Sequence, residues 1–323
     1  MVQSKSFISD KLSLDDIDKS ISKNQDIFVN NFFKMEFTWM VSAYEIFKDI
    51  EKYLIIVHLI NKTLNTYNKY FFNFSYDQFY LSENIEIEKL SIIEIVKELN
   101  ISKETARRKI NELSKDNVIV RNSKKITLNK KAFIFQKPKA TLKNLSKLLL
   151  VSAKNLTGNE ILKSYNIEDF EEKIKKNYSR YWNTFLEFQI SYMISGKKFF
   201  GDYESFLCIG VCSLNQSYNL LNSKNRGDLE IRDIADSIVL LEKSPGLNPT
   251  TISDLTGIPR ATVIRKIYSL SKKKFINKND KNLYTISSPN LNPQAYKKLK
   301  ERFNYNQNLI KNLITEFLNF IKS

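Results

Sequence analysis

At 323 residues the chain has room for two domains that each bury a core, and 42% hydrophobic with 12% aromatic residues is a globular balance. Seven Gly and six Pro leave little for Gly-rich cofactor loops or many-turned sandwiches and favour long uninterrupted helices, so a mainly α protein is expected. The net charge of +16 suits a polyanionic partner, but Lys, Asn and Ile are abundant as AT-rich codons favour, so the positions of Arg and Lys say more than their total.

Residues 1–25 are polar, with Asp15, Asp16 and Asp18 among Lys and Ser, and read as a poorly ordered arm or a short surface helix. Met1 to Asp10 lacks a signal-peptide hydrophobic region, and the apolar run Tyr53–Ile60 is too short to span a bilayer. A soluble, cytoplasmic protein without a membrane partner is expected. From Asp26 the spacing turns helical, with Phe32, Phe33, Phe37, Met40, Val41 and Tyr44, then Ile50, Leu54, Val57 and Ile60.

Ser91 stands three residues before Glu94, a capping-box spacing that opens a helix through Leu99, and Asn100 tolerates the left-handed backbone of a tight turn. The next helix begins after Ser102. Ala106, Ile110 and Leu113 form its buried stripe, which leaves Lys103, Arg107 and Asn111 outward with Arg108 beside them. A hairpin follows, Val118–Arg121 and Lys125–Leu128 about the turn Asn122–Lys124, with Arg121, Lys124 and Lys125 as its basic residues. A helix over Leu142–Lys154 closes a first unit, 26–155. Gly158 and its polar neighbours mark the boundary to a second, 156–323, which starts with the charged helix Glu168–Ser179.

The second unit repeats the plan. Asn30 to Leu59 realigns on Asn183 to Cys212 at a constant shift of 153 (Asp202 against Asp49), and Ile101 to Ile119 on Ile258 to Ile276 at 157 (Ile258 against Ile101). Phe185, Phe188, Tyr192, Phe199, Phe206, Leu207 and Val211 keep the aromatic helix pair. Cys208 and Cys212, the only cysteines, lie four apart on that apolar helix and read as packing groups; with His58 as the only histidine, no disulfide framework, zinc quartet or Cys-His dyad can be built from the chain. Asn248 caps, Pro249 takes a first helical position and Gly257 makes the turn, so different residues meet the same geometry as in the first unit. After Pro259, Val263, Ile267 and Leu270 face inward, Arg260, Ile264 and Tyr268 outward, with Arg265 beside them. A second hairpin spans Phe275–Lys278 and Asn282–Ile286 and carries Lys278 and Lys281, and a helix over Pro293–Lys322 ends the chain.

Each helix pair with its hairpin reads as a winged helix-turn-helix, so the expected fold is an internal duplication of two such domains, flanked by amphipathic helices and joined as an intramolecular pseudo-dimer. Ile101–Ile110 and Gly257–Ile267 resemble the recognition helices of bacterial winged-helix regulators of the MarR and IclR type. The pattern of Thr, an apolar residue, then Arg two further on is matched by Thr105, Ala106, Arg108 and by Thr262, Val263, Arg265. The likeness spans about 45 residues in each copy. It implies double-stranded DNA as partner, dimer-forming flanking helices, and apolar space between domains for a small-molecule effector. Pairing within one chain departs from that family's separate subunits and leaves room for a monomer.

The expected function is therefore transcriptional regulation by sequence-specific DNA binding, with Ser102, Lys103, Arg107, Arg108, Asn111, Arg260, Ile264, Arg265 and Tyr268 on the recognition helices and Arg121, Lys124, Lys125, Lys278 and Lys281 on the wings. The recurring pairs Arg108-Lys109 and Arg265-Lys266 are expected to face phosphates. Arg107 and Asn111 suit guanine and adenine; Ile264 and Tyr268 suit thymine methyl groups, stacking or phosphate, so an asymmetric pseudo-palindrome is expected. The second stripe could instead pack on a protein partner. A plasmid or phage replication initiator and a tandem winged-helix interaction scaffold, resembling that of the chromosome-segregation complex, are the alternatives. The repeated acids Asp49, Glu51, Asp202 and Glu204 open helices, where the helix dipole explains them. Without a phosphate-cradling loop or nucleophile elbow, no enzyme and no cofactor are expected.

Overall fold

The computed structural model describes residues 11–81, 84–87, 91–122, 125–129, 132, 138–222, 245–288 and 292–322. Lys124 lies outside them, as do Met1 to Asp10. The chain is mainly helical, with two small antiparallel sheets.

Residues 14–22, read as part of a polar arm, form helix α1 (Leu14–Ser22), started by a capping box between Ser13 and Asp16. Its Ile17 and Ile21 are buried, and Lys311 pairs with Asp18, so the described part of the arm is docked. Helices α2 (Gln25–Phe47) and α3 (Ile50–Lys69) follow, then α4 (Tyr76–Leu81). The apolar spacing from Asp26 onward is thus helical as expected. Lys48 closes α2 in a left-handed conformation at φ 50°, and Asp49 caps α3 by accepting from the backbone N–H of Glu51 and Lys52.

A winged-helix order comes next: β1 (Asn84–Ile87), α5 (Ile92–Leu99), α6 (Lys103–Lys115), β2 (Ile119–Asn122) and β3 (Lys125–Asn129). The sheet runs β1-β3-β2, with Ile85 opposite Leu128 and Ile119 opposite Leu128. The expected two-stranded hairpin is therefore three-stranded. β1 has a partner some forty residues away, which local pattern does not announce.

Helix α7 (Lys139–Ala153) returns along α2, and α8 (Glu160–Ser164) and α9 (Ile167–Lys176) lead into α10 (Tyr178–Phe200) and α11 (Tyr203–Leu221). The second helix-turn-helix is α12 (Pro249–Thr256) and α13 (Arg260–Lys272), with β4 (Ile276–Lys278) and β5 (Tyr284–Ile286) as its hairpin. Leu247 bridges to Tyr284 on the free side of β5, in the place that β1 takes beside β3. Gly246 permits this approach: a Cβ there would lie 2.6 Å from the Tyr284 carbonyl oxygen. The last helix, α14 (Pro293–Lys322), packs on α10 and α1.

The core lies where α2 packs on α11 and α10 on α3. Trp182 is stacked between Tyr178 and Phe185, and Phe32 meets Tyr192 edge-on, so aromatic area fills the junction. Buried apolar residues run as one cluster from Leu12 to Ile321. Gly196 gives the α10–α11 pair its close fit, since a Cβ there would meet the Phe206 ring at 2.1 Å. Cys208 and Cys212 are free and buried in this packing. None of the described helices is long and apolar enough to cross a membrane.

Candidate nucleic-acid interface

Local chemistry places α6 and α13. Ser91 accepts from the Glu94 N–H at 3.2 Å, Asn100 ends α5 at φ 49°, and Ser102 Oγ accepts from the Thr105 N–H at 3.1 Å to start α6. Asn248 accepts from the Thr251 N–H at 2.9 Å, Gly257 turns at φ 68°, and Pro259 precedes α13. Ala106, Ile110 and Leu113 are buried, as are Val263, Ile267 and Leu270. These stripes fix the rotation of both helices about their axes.

The opposite face is open. Ser102 at the cap and Lys103, Arg107, Arg108 and Asn111 on α6 are exposed, as are Arg260, Ile264, Arg265 and Tyr268 on α13. Arg107 and Asn111 lie one turn apart on one stripe, the arrangement that lets two side chains reach neighbouring base edges. Arg108 pairs with Glu112 at 3.0 Å, and Glu112 also accepts Lys52 at 2.7 Å, so this arginine is held along the helix flank. On α13 Arg260 Nε donates to Thr250 Oγ1 at 3.1 Å and Arg265 to Thr262 at 3.3 Å. Tyr268 is 72% exposed and Ile264 43%, a large apolar presentation for a helix with polar neighbours.

The wings differ. Arg121 is exposed on β2, while Lys125 opens β3 opposite Asn122, with its side chain outside the described residues. Lys278 and Lys281 are exposed on the second hairpin, whose turn is held by Asn279 Oδ1 accepting from the Lys281 and Leu283 N–H groups. Cations at these edges can meet backbone phosphates beside a groove occupied by the helix.

One expectation is overturned. Lys109 and Lys266 do not face outward with their arginine neighbours. Lys109 is 4% exposed and pairs with Asp49 and, at 3.1 Å, with Glu51; Lys266 pairs with Asp202 at 2.9 Å and Glu204 at 3.5 Å. Successive helical residues are about 100° apart, so an outward arginine turns the next lysine toward the core. Asp49, Glu51, Asp202 and Glu204 therefore hold α6 and α13 as well as standing at their own helix starts. The signal was available: Lys109 is three residues after Ala106 and four before Leu113, inside the buried arc.

The first turns of α3 and α11 meet beside the first of these lysines. Tyr44, Lys48, Asp49, Glu51, Lys109, Lys197, Asp202, Tyr203 and Glu204 surround a cavity of about 260 Å³. The Glu51 carboxyl, which burial alone would raise, is held below its ordinary range by hydrogen bonds and charge from Lys197 and Lys109. Burial likewise opposes ionisation of Asp202, but Lys266 and the Ser205 N–H outweigh it and lower its pKa. Both α6 and α13 are thus anchored at one end of the helical core.

The first reader has a recognisable sequence type. Residues 86–131 match the DeoR-like helix-turn-helix domain. That span starts within β1, runs through β3 and contains α5 and α6, so the match covers both helices of this helix-turn-helix and the hairpin after them. It makes this segment a DNA-binding helix-turn-helix of the kind found in transcription regulators. Neither a curated protein nor a solved structure matches the chain.

Proposed function

We propose that the chain is a transcriptional regulator built by internal duplication, in which two winged helix-turn-helix domains form an intramolecular pseudo-dimer on an asymmetric, pseudo-palindromic site. The observation that carries the DNA-binding part is the open Arg107–Asn111 stripe on a recognition helix within the DeoR-like segment. Arg107 reads guanine and Asn111 adenine in one half-site; Ile264 and Tyr268 favour thymine methyl groups in the other. Arg121, Lys125, Lys278 and Lys281 meet phosphates at the flanks.

Reciprocal packing supports the paired arrangement. α2 lies on α11 and α10 on α3, the exchange expected where one surface meets its own copy. At the centre Gln189 Nε2 donates to Glu36 Oε1 at 2.8 Å, and these residues are 153 positions apart, the offset of the sequence repeat. A residue that touches its own counterpart lies on a two-fold axis.

Selection from random duplexes tests the reading. The expected outcome is an imperfect palindrome with half-sites about one helical turn apart, and the absence of any enriched sequence at moderate salt would refute it.

A further inference from the structure

We propose that Lys109 and Lys266 are positioning residues that clamp the two recognition helices onto the helical core and so set the half-site spacing, with Glu51 tying the first reader to both halves of the chain. The spacing part rests on the paired reading above; the clamp itself does not.

Lys109 is the buried cation of α6. Its ammonium group joins Asp49 and Glu51 at the start of α3, and the other Glu51 oxygen accepts Lys197 Nζ at 2.5 Å. Lys197 belongs to α10, so the chain of charges runs from the first recognition helix through α3 into the second half. Lys266 repeats the first step with Asp202 and Glu204 at the start of α11. The second step is not repeated among the described residues: at the 153-residue offset, the counterpart of Lys197 is Tyr44, which has no cationic charge.

The geometry is that of a hinge stop. A single ammonium held by two carboxylates adds a directional tie to the packing of Ala106, Ile110 and Leu113, so the tilt of the recognition helix and its distance from the core are held by charge as well as by apolar contact. Two linked readers gain from each other only when their separation matches that of the half-sites. The clamp lysines are engaged by carboxylates of the core, and through the helices they hold they determine which spacings bind. The first clamp spans both halves, so its loss should loosen the pair more than loss of the second.

Spin labels at Asn111→Cys and Tyr268→Cys read the separation directly, because Cys208 and Cys212 are 1% and 2% exposed and escape labelling. A narrow distance distribution is expected in the otherwise unaltered protein. Lys109→Met and Glu51→Gln should broaden it, Lys266→Met less so, and Lys109→Arg should restore it. Without the labels, Lys109→Met should lower affinity for the two-half-site duplex about tenfold, leave an isolated first half-site within about twofold, and flatten the dependence on inserted base pairs. Glu51→Gln, which leaves Lys109 its Asp49 partner, serves if Lys109→Met does not fold. Unchanged distributions in folded variants overturn the clamp. A narrow distribution in a protein without spacing preference overturns the paired reading and keeps the clamp.

Discussion

Replacing Glu36 with Gln should stabilise this protein in a manner that depends on pH. Glu36 lies at the centre of the helical core, 2% exposed, with Gln189 donating to Oε1 and Oε2 without a hydrogen-bond partner among the described residues. Burial raises its carboxyl from the ordinary 4.5 to about 8, against a smaller lowering by the Gln189 hydrogen bond. Because the folded-state pKa is the higher, the stability it permits is complete below the unfolded value and falls as pH rises toward the folded one. At about 1.4 kcal/mol per pH unit, the folded state at pH 7 is penalised by about 3 kcal/mol, levelling at about 5 kcal/mol above pH 8. Glu36→Gln keeps the shape and removes the titration. Guanidinium unfolding of both proteins at pH 4.5, 7 and 9 should therefore give stabilities that converge at the acidic end and separate by these amounts at the basic end, with the variant more stable. Curves that remain parallel across this range would show that Glu36 does not hold its proton in the folded state.

Four further outcomes are expected. Arg107→Ala should relax base preference in the first half-site at a cost of about 1–3 kcal/mol in discrimination, whereas Arg121→Ala should weaken all sequences alike and lower the salt slope by about one, both measurable by titration at several salt concentrations. Gly257→Ala puts a Cβ at φ 68° and should cost about 1 kcal/mol of stability by chemical denaturation, while Asn100→Gly at the equivalent turn should cost none. Gly196→Ala drives a methyl into the Phe206 ring and should destabilise by about 1–3 kcal/mol through overpacking, read as a lower unfolding midpoint. The lowered carboxyls of Glu51 and Asp202 stabilise their ion pairs above the ordinary carboxylate range, and that contribution should vanish as pH falls through their depressed values, so the label distances at α6 and α13 should broaden in acid.

The parts legible in the sequence are those governed by neighbours within a turn or two. Ser91, Ser102 and Asn248 announce helix starts because their side chains meet nearby N–H groups, and Asn100 and Gly257 announce turns because few residues accept a left-handed backbone. The stripes through Ile110 and Ile267 follow from helical period alone, and with them the open faces of α6 and α13. The repeat offsets are likewise properties of the sequence.

What local pattern could not supply depends on distant partners. β1 is a strand because β3 offers it a free edge across the helix-turn-helix, and Leu247 finds the same edge on β5. Glu36 holds its proton because two long helices bury it against Gln189, and its polar side chain alone suggests a solvated site. Helical period alone turns Lys109 inward, but that it meets Asp49 and Glu51 there is decided by the packing of α6 on α3. Caps, turns and periodicity act over a few residues and can be read in order along the chain. Charge pairing and burial act through space, and only the packing of α2, α3, α10 and α11 decides which lysine meets water and which meets a carboxylate.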